Sequence, residues 1–476
     1  MKPNREVSIA GGGLVGTLLA IFLVRRGLRV TVWERRLDPR GAGESGGRSI
    51  NLVATTRGMQ ALGRVGLDKL VERLTVAVTG RMIHSADCEL TFQPYGRDVS
   101  EFNHSVSRGA LNRLLIVEAE RRGVQFRFGM RLAGGDVRAG RWTFVDESTG
   151  QSLETEQSVL FGADGAGSAA RAALAKLGGA YVESVEPLGH GYKELLLPAA
   201  EQGRYRIEKN ALHLWPRGQI MLMALPNLDG SFTVTLYLPE EGPSSFRGLD
   251  TPQKVRELFG REFPDAIPLI PDLAESFFAN PTGELGTVRF CPWHFAGRVA
   301  LIGDAAHAIV PFFGQGMNCG FEDCAVLDAL LDEHGENDWA TVFEAFTRAR
   351  KPHADAIADM ALENFVEMRD QVADPGFLLR KAVEHRLERD WPLEYRSRYS
   401  MVMYGGVPYR VAQQAGEIER EILDELCAGL ATADRLDVAR ARRLIRDRLT
   451  PFLARHSVDL GYGRIPGNGT CPGPAR

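Results

Sequence analysis

The stretch "VSIAGGGLVGTLLAIFLVRRGLRVTVWERR" (residues 7–36) packs a strand, a glycine turn, a helix and a second strand into thirty residues. Gly11, Gly13 and Gly16 have the G-x-G-x-x-G spacing. The first permits a tight turn, the second lets a pyrophosphate approach the backbone, and the third lets helix pack on strand. Phosphates would then sit at the helix N-terminus, where free N–H groups and the dipole favour anions. Glu34 closes the second strand 23 residues after Gly11, where a carboxylate meets ribose hydroxyls, and Arg35 follows it at the same cofactor edge. A terminal Glu favours an unphosphorylated ribose, hence FAD or NAD at this site.

Context gives the spacing its weight. "GAGESG" (41–46) also fits the pattern, but it follows "DPR" and leads into "GRSIN", so it reads as a loop. Two later segments favour FAD. "VLFGADGAGSAAR" (159–171) is an apolar strand breaking at Gly-Ala-Asp-Gly, which makes Asp164 a cofactor candidate. "GRVALIGDAAHAIVPFFGQGMNCGFEDCAVLDALLDE" (297–333) is a strand ending on Asp304, a glycine-rich loop and a helix. Asp304 is placed for a ribityl or ribose hydroxyl, and the N–H groups of Gly316, Met317 and Asn318 for electron-rich flavin oxygens.

At 476 residues, two or three subdomains are expected. A net charge of −4 gives no reason to expect nucleic acid or an anionic membrane as partner. The longest apolar run, residues 14–24, is too short to span a bilayer, and the first strand leaves no room for a signal peptide. Six scattered cysteines lack zinc spacing and suggest buried thiols in a reducing compartment, so no metal and a cytoplasmic location are expected.

The order "GGGLVG…E", "GADGAGSAAR", "GDAAHAIVPFFGQGMN" resembles the single-component FAD-dependent aromatic hydroxylases, the group A flavoprotein monooxygenases, over residues 5 to 370. The resemblance implies tightly held, non-covalent FAD, with NADPH or NADH docking transiently and O₂ as co-substrate. In that family a flavin C4a-hydroperoxide passes oxygen to an activated ring. The segments "GRSINLVATTRG", "GRMIH", "QPYGRD", "GHGYKEL", "MALENFVEM" and "RYSMV" are similar to its kynurenine 3-monooxygenase branch, up to about residue 405. This implies L-kynurenine as small-molecule substrate and hydroxylation ortho to the amine. A substituted kynurenine or another aromatic acid in a tailoring pathway is the alternative, and the oligomeric state stays open.

By the same resemblance Arg81 and Tyr95 take the substrate carboxylate, Asn364 and Tyr399 the same end, and Arg108 contacts FAD. A planar guanidinium suits a carboxylate because it forms two parallel bonds. Phe232, Phe312 and Phe313 would wall the ring, with Gln315 addressing the ketone or aniline. Each has a bland counterpart: a surface pair, a polar helix face or plain core aromatics. No general base is assigned, since an aniline already donates its lone pair to the ortho carbon.

The expected fold is α/β: a discontinuous Rossmann-like FAD-binding domain, an inserted β-sheet substrate domain and C-terminal helices. The FAD domain takes 1–75, 100–180 and 285–360, and the substrate domain 76–99 and 181–284. A helical region covers 361–455, and a Gly/Pro-rich tail, 456–476, is expected to be disordered.

Overall fold

Every residue from Val7 to Ala10 is buried, because the strand Glu6–Ala10 lies at the centre of a sheet covered on both faces. The computed structural model describes residues 6–41, 51–97, 100–368 and 374–460. The second glycine pattern and the end of the chain fall largely outside them. The sheet runs in the order 294–295, 299–301, 160–162, 6–10, 29–34, 125–128. All neighbours pair in parallel except the short 294–295 edge. The helix Leu14–Arg25 connects the two founding strands in a parallel crossover, and buried Leu18, Leu19, Ile21 and Phe22 seal it in place. Strand Val299–Leu301 returns to this sheet after a long excursion, so the dinucleotide fold is discontinuous in sequence.

The excursion builds a seven-stranded sheet in the order 283–291, 182–197, 232–239, 220–226, 211–217, 80–84, 90–94. Residues 80–84 and 90–94 thus join strands that follow them by more than a hundred positions. Asn227 N donates to Ser231 O and Gly230 takes φ +89°, which closes the hairpin at the Asp-Gly pair. One face packs on the helices Pro252–Glu262 and Leu273–Ala279, with Leu195, Trp215, Leu222, Phe232, Val234, Leu236, Phe259 and Phe263 in the core.

Contacts divide the chain into two units, 1–372 and 373–476. The helix Trp339–Val366 runs unbroken, with Ala356, Ile357, Met360 and Ala361 buried along it. The second unit is helical, with Pro375–Asp390, Arg398–Met403 and Tyr409–Cys427 its longest described elements up to Cys427. Among the described residues no helix is long and apolar enough to cross a membrane.

Candidate active site

The three leading glycines have three different surroundings. A Cβ on Gly11 would meet Ala163 O at 2.2 Å, and φ is +106° there. A Cβ on Gly16 would meet Gly11 O at 2.0 Å, so helix and turn touch. A Cβ on Gly13 would meet nothing within 4 Å. That open space at a helix N-terminus is the cradle a pyrophosphate needs. Buried Glu34 accepts from Gly12 N (2.8 Å) and from the Arg36 backbone and guanidinium (2.8 and 3.2 Å). Burial would raise its proton affinity, but Arg36 and the two amides outweigh that and hold the carboxyl ionised. The Arg36 side chain is 55% exposed, so the outer side of this pair faces solvent. Arg35 itself points to solvent, as does Arg108 at the head of the helix Arg108–Arg121.

Asp164 is committed locally. Its carboxylate accepts from Ser168 Oγ (2.5 Å), Ala169 N (2.7 Å) and Ala170 N (3.2 Å), capping the helix Ala169–Ala175. Asp304 differs: it is the exposed residue in a buried run from Val299 to Ala308, raised to the surface by Gly303 at φ +61°. The loop that follows ends with Gly314 in the left-handed region. Its helix, Gly316–His334, begins with Gly316, Met317 and Asn318, whose N–H groups precede the first i→i−4 bonds. The Asn318 side chain clamps the loop: Oδ1 accepts from Thr55 N (2.9 Å), while Nδ2 donates to Val53 O (2.8 Å) and Gly314 O (2.9 Å).

On the seven-stranded sheet, residues alternate between the helix-packed core and an opposite face. On that face Arg81 lies beside Leu212. Ile83, Leu214, Met223, Thr235 and Glu194 form one row, and Pro216, Met221, Tyr237 and Tyr192 the next. The Arg81 guanidinium lies 5.4 Å from the Tyr95 ring centroid, at one edge of this surface. Phe312 closes on it from the glycine-rich loop, 5.1 Å from Tyr237 and 4.5 Å from Phe365. Asn364 Nδ2 donates to Phe312 O at 2.6 Å and fixes that loop to the long helix. Phe313 and Gln315 are buried in the same loop.

One expectation is corrected. Phe232 lies on the core face, edge-on to His213 and Tyr205, because it shares the phase of Val234 and Leu236. The aromatics on the Arg81 face are Tyr192 and Tyr237, and burial keeps the Tyr237 hydroxyl protonated. Tyr399 belongs to the second unit, on the short helix Arg398–Met403, 6.4 Å from Tyr404 ring to ring.

Sequence reasoning also missed a charge cluster behind the loop. Asp323 Oδ2 meets His307 Nε2 at 2.6 Å and Gly303 N at 3.2 Å, while its Oδ1 accepts from Arg350 Nε at 2.7 Å. Arg350 Nη1 reaches Glu322 at 2.7 Å, and Arg57 pairs with the same carboxylate. These residues lie far apart in sequence on four elements, and no spacing announces them.

The FAD binding domain family matches residues 4–181 and 287–361. Over 452 residues the chain is 52% identical to a kynurenine 3-monooxygenase of Myxococcus xanthus, covering 95% of this chain and 97% of that protein. It is 46% identical over 456 residues to a kynurenine 3-monooxygenase of Stenotrophomonas maltophilia, covering 95% and 99%. Among solved structures, 2-methyl-3-hydroxypyridine-5-carboxylic acid oxygenase shares the fold with a TM-score of 0.63 at 22% identity, over 79% of this chain and 95% of that one. PqsL of Pseudomonas aeruginosa, in complex with 2-aminobenzoylacetate, gives 0.62 at 22% identity over 78% and 99%. With its discontinuous dinucleotide fold and its near full-length likeness to these enzymes, the chain belongs to the kynurenine 3-monooxygenase family of FAD-dependent flavoprotein monooxygenases.

Proposed function

We propose that this protein hydroxylates L-kynurenine at the ring carbon ortho to the amine, consuming one NAD(P)H and one O₂ and releasing 3-hydroxy-L-kynurenine and water. The observation that carries the reading is a single guanidinium, Arg81, stacked on Tyr95 at the edge of a largely apolar sheet face. A zwitterionic amino acid with an aromatic ring matches that polarity: its carboxylate pairs with Arg81 and its ring lies over Leu214 and Met223. Asn364 adds to the polar end, and Phe312, Phe313 and Gln315 form the ring end. FAD, when bound, activates O₂ with electrons from the nicotinamide.

In this reading Gly13 and the first turn of the Leu14–Arg25 helix hold the pyrophosphate, Glu34 the adenosine ribose and Asp304 the ribityl chain. Gly316, Met317 and Asn318 offer N–H groups to the ring system. Phe312 and Tyr237 exclude water from the reacting carbon. The aniline supplies its own electron push, so the chain holds no proton at the reacting carbon and needs only to orient the ring. The five described cysteines are free thiols, in keeping with a cytoplasmic enzyme, although Cys88 is exposed in place of the expected burial.

The test is coupling. Kynurenine should stimulate NAD(P)H oxidation with stoichiometric 3-hydroxykynurenine; stimulation that yields only H₂O₂ would make kynurenine an effector and overturn the reading. Arg81→Ala should raise the kynurenine dissociation constant about tenfold or more, from roughly 1.5–3 kcal/mol of charge-assisted bonding, with FAD retained. Unchanged affinity would remove Arg81 from the site.

A further inference from the structure

His307, Asp323, Arg350, Glu322 and Arg57 are bonded to one another behind the first turn of the Gly316–His334 helix, and no step proposed above uses them. Asp323 and Glu322 bring two negative charges, Arg57 and Arg350 two positive ones, and His307 can add a third. Asp323 is fully buried and His307, Arg350 and Arg57 nearly so, which keeps their fields from being screened by water. The groups facing His307 are Asp323, Cys319 with its thiol 4.0 Å from Nδ1, Arg350 across Asp323, and the Trp293 ring 5.0 Å away. His353 adds a weaker positive influence on Glu322. Burial alone would strip the imidazole of its proton, but the Asp323 carboxylate outweighs it and holds His307 charged.

His307, Cys319 and Asp323 have metal-ligating side chains within reach of one another. Arg350 argues against an ion there. Its guanidinium already lies 2.7 Å from Asp323 Oδ1 and 3.4 Å from Cys319 Sγ, so a fixed cation occupies that side.

Through Gly303, Asp323 holds the turn that presents Asp304, and Cys319 and Asp323 follow the N–H groups of Gly316, Met317 and Asn318 on the same helix, within about two turns. We infer that this cluster is a buried counter-charge for the reduced flavin, placing one unit of net positive charge behind the helix terminus that faces the ring system. The inference rests on the FAD reading and not on the identity of the aromatic substrate. Hydride transfer from the nicotinamide carries two electrons and one proton to the flavin, which therefore gains one negative charge; the nicotinamide is oxidised by the same two electrons. A fixed positive charge strengthens binding of the reduced form over the oxidised form. A purely structural cluster would change both affinities together.

The experiment is an equilibrium reduction titration of the holoenzyme, without substrate, alongside FAD dissociation constants in the oxidised state. His307→Gln keeps an N–H donor toward Asp323 and removes the charge. It should lower the ratio of reduced to oxidised FAD affinity about tenfold, a drop of about 30 mV for a two-electron couple. Glu322→Gln removes a negative charge and should move the potential in the opposite direction. Opposite shifts support the inference. Unchanged potentials, or shifts of the same sign in both variants, overturn it, even where FAD affinity falls. If one variant fails to hold FAD, the sign of the other decides. A wild-type chain that purifies without FAD and does not take it up would instead overturn the flavoprotein reading itself.

Discussion

In the first unit, buried Asp323 and partly buried Glu322 each meet a cation within hydrogen-bond distance, and burial is compensated by opposite charge. In the second unit, Glu388 and Glu419 are about as buried as Asp323, but the charge that acts most on each is the Glu384 carboxylate. His385 lies 4.0 Å from Glu388, and Arg398 acts more weakly on Glu419. Glu388 Oε1 accepts from Ser397 N (2.8 Å) and Glu419 from Arg398 N (2.8 Å), while Glu419 Oε1 and the Tyr395 hydroxyl have no partner among the described residues. Burial, and then the Glu384 charge, raises the proton affinity of both Glu388 and Glu419. Burial and the Glu419 charge raise that of Tyr395. The first cluster therefore favours the charged carboxylate, while the second shifts its carboxyls toward the protonated form. Equal burial gives opposite chemistry because the neighbours differ in sign.

The largest effect should come from breaking the compensated cluster. Arg350→Ala leaves fully buried Asp323 with His307, and partly buried Glu322 with Arg57, as their remaining partners. Removing one partner of a buried pair typically costs about 3–5 kcal/mol. Urea unfolding at neutral pH should show a loss of that order, and a loss below about 1 kcal/mol would mean that water reaches the site. The same substitution should loosen the Gly303 turn, which Asp323 holds.

A smaller effect of different character is expected from Glu419→Gln. The folded-state proton affinity of Glu419 lies above that of the unfolded chain. Its stabilising contribution is therefore complete below about pH 4.5 and is lost as pH rises through the folded value, since the unfolded chain releases a proton that the folded chain keeps. Each pH unit in that window subtracts up to about 1.4 kcal/mol. The amide cannot ionise, so unfolding free energies measured from pH 5 to 8 should fall less steeply in the variant. An unchanged slope would assign the titration to Glu388 or elsewhere.

The difference between the clusters also explains what could be read in the sequence. Gly11, Gly13, Gly16 and Glu34 share one crossover unit, so their spacing was readable, although Gly11 and Gly16 also abut Ala163 from beyond it. The glycine pattern of the Gly303–Asn318 loop was readable too, but the bonds from Asn318 to Val53 and Thr55 were not. Arg350 meets Asp323 from 27 positions away, and Arg57 meets Glu322 from 265, so only the fold brings these charges together. Phe232 shows a third kind of limit. Its strand was recognisable, but every residue of it except the last is buried, and burial on both faces erases the alternation that tells one face from the other. Only pairing with the strand of Arg81, through two intervening strands, assigns Tyr237 to the Arg81 face.

The smallest effect supplies the control for both clusters. Arg247 and Glu241 lie 2.7 Å apart, the same separation as Arg350 and Asp323, yet their side chains are 79% and 75% exposed. In water the attraction is screened, and holding two long side chains in one geometry costs entropy that offsets it. Arg247→Ala should leave the unfolding midpoint within experimental error at low and high salt alike. A loss comparable to that of Arg350→Ala would mean that distance, not desolvation, sets the strength of these pairs. The contrast between the two buried clusters would then need another cause.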